Sequence, residues 1–225
     1  MKIVASKRQF WILAIWDFFS PSTFNNLSSM WAGPYLRDII KLDESTASYS
    51  LLMLPLAWVI GSPFLVAVSD LVKTRKWVVV SSCGVGLGTC IAFMFVTSET
   101  NHALVLAMLF VFALGSSAVL AVGNAMFKEM NPGAVATSMG CGNFHPFIAT
   151  AILQTISPFL LSVAETETLK SGHSLHSYKY GLWMPSAIML SIAFIASLLT
   201  SETFPKPSLM SQELMSNPNI YTSTG

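Results

Sequence analysis

The chain has 225 residues, 53% of them hydrophobic and only 10% charged, with a formal net charge of +1. A soluble domain carries about 25% charged residues, so too little charge is present to cover a water-facing surface. The near-neutral balance also excludes the basic field that a nucleic-acid partner requires. A mean hydropathy of +0.60 points the same way. Cys83, Cys90 and Cys141 all lie in apolar stretches without CxxC spacing. They read as small buried thiols rather than a disulfide or metal set.

The basic amino terminus (Lys2, Lys7, Arg8) runs into an apolar stretch that continues to about Ala32 and contains Asp17. No small-residue cleavage site follows, so the stretch reads as a retained helix and not a leader. A bilayer core takes about 20 mostly apolar residues per helix. Six segments qualify: roughly Gln9 to Ala32, Ser48 to Ser69, Trp77 to Thr97, Ala103 to Phe127, Ala134 to Val163 and Gly181 to Thr200. The expectation is an all-α membrane protein. A basic terminus (1–8) precedes a six-helix bundle (9–200), and a polar, disordered tail (201–225) follows.

Nearly all the charge falls in the connections. With the amino terminus in the cytoplasm, inner segments hold Lys2, Lys7, Arg8, Lys73, Arg75, Lys76, Lys128 and Lys206. Outer segments hold Arg37, Lys41, Lys170 and Lys179, with Asp38, Asp43, Glu44, Glu99, Glu165 and Glu167. The excess of cations predicts both termini on the cytoplasmic side.

Asp17 is the one acidic residue inside a predicted span. A charge at the bilayer centre costs about 2.5–3.5 kcal/mol on insertion scales, so such a residue faces a cavity, a partner or the hydrated edge. Ser22, Asn25 and Ser29 share one stripe further along the first helix, with Asn26 at its edge and Pro21 placed to kink it. This pattern suits a substrate-lining helix, the alternative being hydrogen bonds to a neighbour. The fifth helix repeats the theme with Asn143, Thr150, Gln154 and Ser157. His145 points nearly opposite, where a proton relay or a buried hydrogen bond are the alternatives. Asn124 is a further cavity candidate on the fourth helix. Gly84 and Gly88 form a GxxxG in the third, the spacing of close helix packing. His173 and His176, with Glu165 and Glu167 upstream, have too loose a spacing to read as a metal site. No phosphate loop, dinucleotide fingerprint or HExxH is present, so no cofactor or metal is expected.

Several landmarks occur in a telling order: WAGPYLRD (31–38), GSPFLVAVSDLVKTRK (61–76), KEMNPG (128–133), TSMGCGNF (137–144) and SETFPK (201–206). Over about 8–204 the chain resembles the carboxyl-terminal half of a major facilitator superfamily transporter. Val66 and Leu71 depart from the family's loop pattern, where a glycine and an arginine are usual. The resemblance implies a half bundle of three-plus-three repeat, with the first, second, fourth and fifth helices lining a cavity and the third and sixth outside. It implies secondary, proton-coupled transport, with Asp17 and His145 as coupling candidates. The cavity candidates become Asp17, Ser22, Asn25, Ser29, Asn124, Asn143, Thr150 and Gln154, and the cytoplasmic gate Asp70, Lys73, Arg75 and Lys76. The expected partners are a small polar solute, the bilayer of a bacterial inner membrane, and a second six-helix half on another chain or a second copy. Two alternatives stand: a non-transporting remnant, or a rhomboid-like serine protease built on Ser116, Ser117 and His145. The latter lacks the GxSG pattern.

Overall fold

The computed structural model describes residues 4, 6–165 and 172–205. Lys2, Glu167, Lys170, Lys206 and the tail from 206 onward lie outside the described residues. Among the described residues the helical elements join into six rods. α1 covers 8–38 in three pieces: an α-helix Arg8–Asn26, a π-turn Leu27–Trp31 and an α-helix Ala32–Asp38. α2 runs Glu44–Val72, α3 Lys76–Phe93, α4 His102–Met130 and α6 Leu175–Leu199. α5 runs Val135–Val163 after a short 3-10 turn, Pro132–Ala134. Two further π-turns interrupt α4 at Val119–Gly123 and α6 at Tyr178–Trp183.

Polar caps explain why several rods begin before their apolar runs. The Asp43 carboxylate accepts from the Thr46 N–H at 3.0 Å, so α2 starts at Glu44 rather than near Ser48. The Ser174 hydroxyl accepts from the Ser177 N–H at 3.1 Å, so α6 starts at Leu175 rather than Gly181. Such caps satisfy the orphan amides of a first turn. At the other end of α2, Lys73 adopts a left-handed conformation (φ 53°) and ends the helix.

α2 through α6 are each long and apolar enough to cross a membrane, whereas α1 is not among such helices. The sequence explains α1: Asp17, Ser20, Ser22, Thr23, Asn25, Asn26, Ser28 and Ser29 dilute its apolar character. Packing makes this tolerable. α1 lies against α5 and α6 and also touches α4, and Asp17, Ser20, Ser22, Thr23 and Asn26 are buried. A helix whose polar side chains are buried against protein tolerates a lower hydropathy than one surrounded by lipid.

Two cores fill the bundle. One gathers Trp31, Tyr35, Phe93, Phe112, Tyr178 and Trp183, with the Phe93 and Trp183 rings stacked at 4.2 Å. The other gathers Phe10, Leu13, Trp16, Val79, Cys83 and Phe127. The cysteines are free, Cys83 and Cys90 buried and Cys141 half-buried. Between the cores, α3 and α4 cross at backbone contact. A Cβ on Gly115 would stand 2.6 Å from the Gly86 nitrogen, and the Ser82 hydroxyl donates to the Gly115 carbonyl at 2.6 Å. The close approach therefore belongs to Gly86 and Gly115, not to the GxxxG of Gly84 and Gly88. Gly84 faces the Phe194 ring, and Gly88 has open space beside it.

The rods alternate in direction. At one end, Lys7 donates to the Met130 carbonyl at 2.6 Å and the Ser201 N–H to Gln9 at 3.0 Å. The α2–α3 turn joins that end through Glu202. Asp38, Lys41, Ser98 and His173 meet at the other.

Candidate functional site

A polar seam runs between α1 and α5. Asn25 Nδ2 donates to Thr150 Oγ1 at 3.3 Å, and Thr150 donates onward to the Pro146 carbonyl at 2.7 Å. One turn along, Gln154 Nε2 donates to Ser29 Oγ at 2.7 Å, and Ser29 donates to the Asn25 carbonyl at 2.5 Å. A third rung is buried: Trp31 Nε1 donates to Ser157 Oγ at 2.7 Å, and Ser157 donates to Asn26 Oδ1 at 3.3 Å. Ser29 is exposed, Asn25, Thr150 and Gln154 are half-buried, and Asn26 and Ser157 are buried. The seam therefore has a buried inner rung and two outer rungs that reach the surface at Ser29. The fourfold spacings 25–29 and 150–154 put each pair on one helix face.

The other candidates fall elsewhere. Ser22 is buried and its hydroxyl donates to the Phe18 and Phe19 carbonyls of its own helix. Asn143 is exposed and Asn124 half-buried, neither within the seam. Asp17 lies two turns before Asn25, about 12 Å along the axis. Its residue is only 3% exposed, and one carboxylate oxygen finds no hydrogen-bond partner among the described residues. Pro21, lacking an N–H, also withdraws the helical donor that would serve the Asp17 carbonyl. A buried carboxyl group without a partner is stable when protonated or when it receives a cation.

His145 is half-buried on α5, its ring 6.3 Å from Phe10 and 6.4 Å from Trp11 of α1. It lines an apolar recess of about 280 Å³ with Trp11, Ala14, Ile15, Phe18 and Phe19. Ser116 and Ser117 donate to carbonyls of their own helix, Phe112 and Leu114. Among the described residues no hydrogen bond joins either serine to His145.

Of the expected gate residues Asp70, Lys73 and Lys76, only Asp70 meets Arg75 among the described residues. Arg75 donates to Asp70 at 2.7 Å and to Ser69 Oγ at 3.0 Å, and reaches Glu129 at 3.4 Å. Its guanidinium also lies 4.9 Å from the Phe204 ring centroid. Glu202 caps the start of α3, accepting from the Arg75 N–H at 2.8 Å, the Lys76 N–H at 3.3 Å and the Thr74 hydroxyl. Thr203 closes the ring by donating to Glu129 at 2.8 Å. Burial pushes the Glu202 carboxyl up, but the hydrogen bonds from Thr74, Arg75, Phe204 and Thr203 outweigh it and hold it below the usual range. Lys73 is exposed and Lys76 lies 5.6 Å over the Trp77 ring. Sequence reasoning missed Glu129 and Glu202; their only signal was an acidic residue inside each of the otherwise basic or polar segments KEMNPG and SETFPK.

At the opposite end, His173 Nδ1 sits 3.2 Å from Glu165 Oε2. Among the described residues no group of three or more His, Cys, Asp or Glu is placed to hold a metal ion. A family model described as Major Facilitator Superfamily matches residues 13–215. A search of curated proteins returns no match to the chain.

Proposed function

The chain belongs to the major facilitator superfamily, and from that premise we propose that it carries out secondary active transport of a small polar solute as one six-helix half of a transporter. The observation that carries this reading is the seam of Asn25, Ser29, Thr150 and Gln154, whose side chains offer donors and acceptors together at an open edge. In this reading α1 is the sixth membrane span, with its buried polar residues packed against α5 and α6. A lone wall moves nothing across a bilayer. The opposing wall is a second six-helix half, elsewhere in the polypeptide, on another chain or in a second copy, and the two halves rock about the solute.

The roles divide by position. Asp17 is the first proton-coupling candidate, a buried carboxyl with one oxygen left without a hydrogen-bond partner among the described residues. His145 is the second candidate, lining the apolar recess that α5 forms with α1. The Asp70, Arg75, Glu129 and Glu202 ring steadies the end where Lys7 and Ser201 lie, which the cation distribution assigns to the cytoplasm. The membrane is then a bacterial inner membrane.

Two experiments test the reading. The mass of the purified protein in mild detergent, with crosslinking in the native membrane, is expected to show an assembly of two six-helix units. Proteoliposomes loaded with a pH-sensitive dye are then challenged with a library of polar solutes. A solute that moves protons with the parent protein, and at least tenfold more slowly with Asp17→Asn, supports the proposal. A strict monomer that moves no solute overturns it and leaves a non-transporting remnant.

A further inference from the structure

α3 and α6 pack side by side, and both carry exposed apolar side chains. Ile91 on α3 and Met184, Ile188, Ile192 and Ile195 on α6 are exposed. Spacings of three and four keep the α6 residues on one ribbon. Both helices are long and apolar enough to cross a membrane, so the ribbon meets acyl chains. Lys179 stands at its head, the one Lys or Arg in α6. Its Nζ lies 5.8 Å from the centre of the Phe95 ring, just past the end of α3, and 5.7 Å from that of Tyr180. Phe95 is 75% exposed and Tyr180 44%. The two rings hold the lysine where the apolar ribbon ends, as cations and aromatic faces do at a membrane boundary. No ion pair of the described residues involves Lys179 or Lys41.

A polar recess adjoins this lysine. Leu175, four residues before Lys179 in α6, lines a recess of about 240 Å³ together with Lys41, Ser98 and Asp38. Ser98 follows Phe95 by three residues, so both elements that flank the lysine also border the recess. Asp38 offers little bare charge there, because its Oδ2 already accepts from the His173 N–H at 3.0 Å and the Tyr178 hydroxyl at 2.9 Å. Glu99, next to Ser98, is exposed and screened by water. We propose that the groove between α3 and α6 is a site for one anionic phospholipid, with its phosphate at Lys179 and the far end of its headgroup in the recess beside Lys41 and Ser98. The ammonium is a compact point charge suited to a phosphate. The Lys41 and Ser98 side chains offer donors to a headgroup of hydroxyls, whereas a headgroup ending in a cation would meet Lys41. The acyl chains lie along the ribbon of Ile91, Met184 and Ile188, where burial of apolar surface adds to the charge attraction. The inference rests on α3 and α6 as membrane spans and not on transport.

The test uses the full chain, freed of lipid in mild detergent and titrated by native mass spectrometry. The probes are dioleoyl phosphatidylglycerol, dioleoyl phosphatidylcholine, diolein and inorganic phosphate. The first phosphatidylglycerol is expected to bind at least threefold more tightly than phosphatidylcholine and tenfold more tightly than diolein. Lys179→Gln should erase the preference over phosphatidylcholine, and Phe95→Ala should weaken phosphatidylglycerol at least twofold. Arg37→Gln removes an exposed cation of α1 and should keep the preference, which separates a site from bulk charge. Each variant is first shown to unfold at the parent's temperature. A preference that survives Lys179→Gln, or that Arg37→Gln lowers equally, overturns the proposal. So does displacement of the lipid by inorganic phosphate, which would mark a site for the free ion. None of these readouts uses transport, so failure here is distinct from failure of the solute reading.

Discussion

Replacing Arg75 by alanine tests the charged ring most sharply. Arg75 and Glu129 are 12% and 16% exposed, whereas Asp70 is 55% exposed. The Asp70 contact is therefore screened and contributes about 0.2–1 kcal/mol. The mostly buried Glu129 would lose its charged donor, which costs about 1.5–3 kcal/mol. The Phe204 stacking adds about 0.5–1 kcal/mol. These terms share one side chain and are not additive, so the expected loss is about 2–4 kcal/mol in reversible unfolding of the detergent-solubilised protein. Arg75→Lys should recover less than half, because one ammonium cannot span Asp70, Ser69 and Glu129 as a planar fork does. A loss below about 0.5 kcal/mol for Arg75→Ala would refute the ring as a structural clamp.

Other consequences follow from the same geometry. Gly115→Ala forces a methyl against the Gly86 backbone, and the expected cost is about 1–3 kcal/mol by thermal unfolding, with Gly88→Ala close to neutral. Lys73→Gly removes the left-handed strain at φ 53° and should stabilise by a few tenths to about 1 kcal/mol. Glu202 is held below its ordinary value when folded, so its stabilising contribution is complete above the ordinary carboxylate range, about pH 4.3. It is lost as pH falls through the folded value. The unfolding midpoint should drop between pH 5 and pH 3, and Glu202→Gln should flatten that slope; an equal slope in the variant would contradict the assignment.

Much of the bundle was legible because hydropathy is a local quantity. Five of the six apolar stretches became helices long and apolar enough to cross a membrane, and the polar stripe at Asn25 and Ser29 met its counterpart at Thr150 and Gln154. What escaped depends on contacts distant in sequence. Arg75 meets Glu129 at a separation of 54 and Glu202 at 127, and no spacing rule reaches so far. The π-turns were invisible for a related reason, since an extra residue per turn is set by packing and not by composition. Gly86 outranks Gly84 and Gly88 because the helix that approaches is α4, with its own Gly115, and only the fold says which face of α3 it meets. Ser22 shared the stripe in projection, yet its hydroxyl was taken by its own backbone, a competition always open to serine.

The central claim is that the α1–α5 seam lines a water-filled cavity. Single cysteines at Ser29 and Gln154, with Cys141→Ser to remove the half-buried thiol, can be labelled in native membranes by an impermeant sulfonate reagent. A cysteine at Val59, well exposed on α2, serves as the apolar surface control. Rapid labelling at Ser29 and Gln154, slowed when a transported polar solute is present, is the predicted result. Seam cysteines that stay as unreactive as one at the buried Ala113 would contradict it.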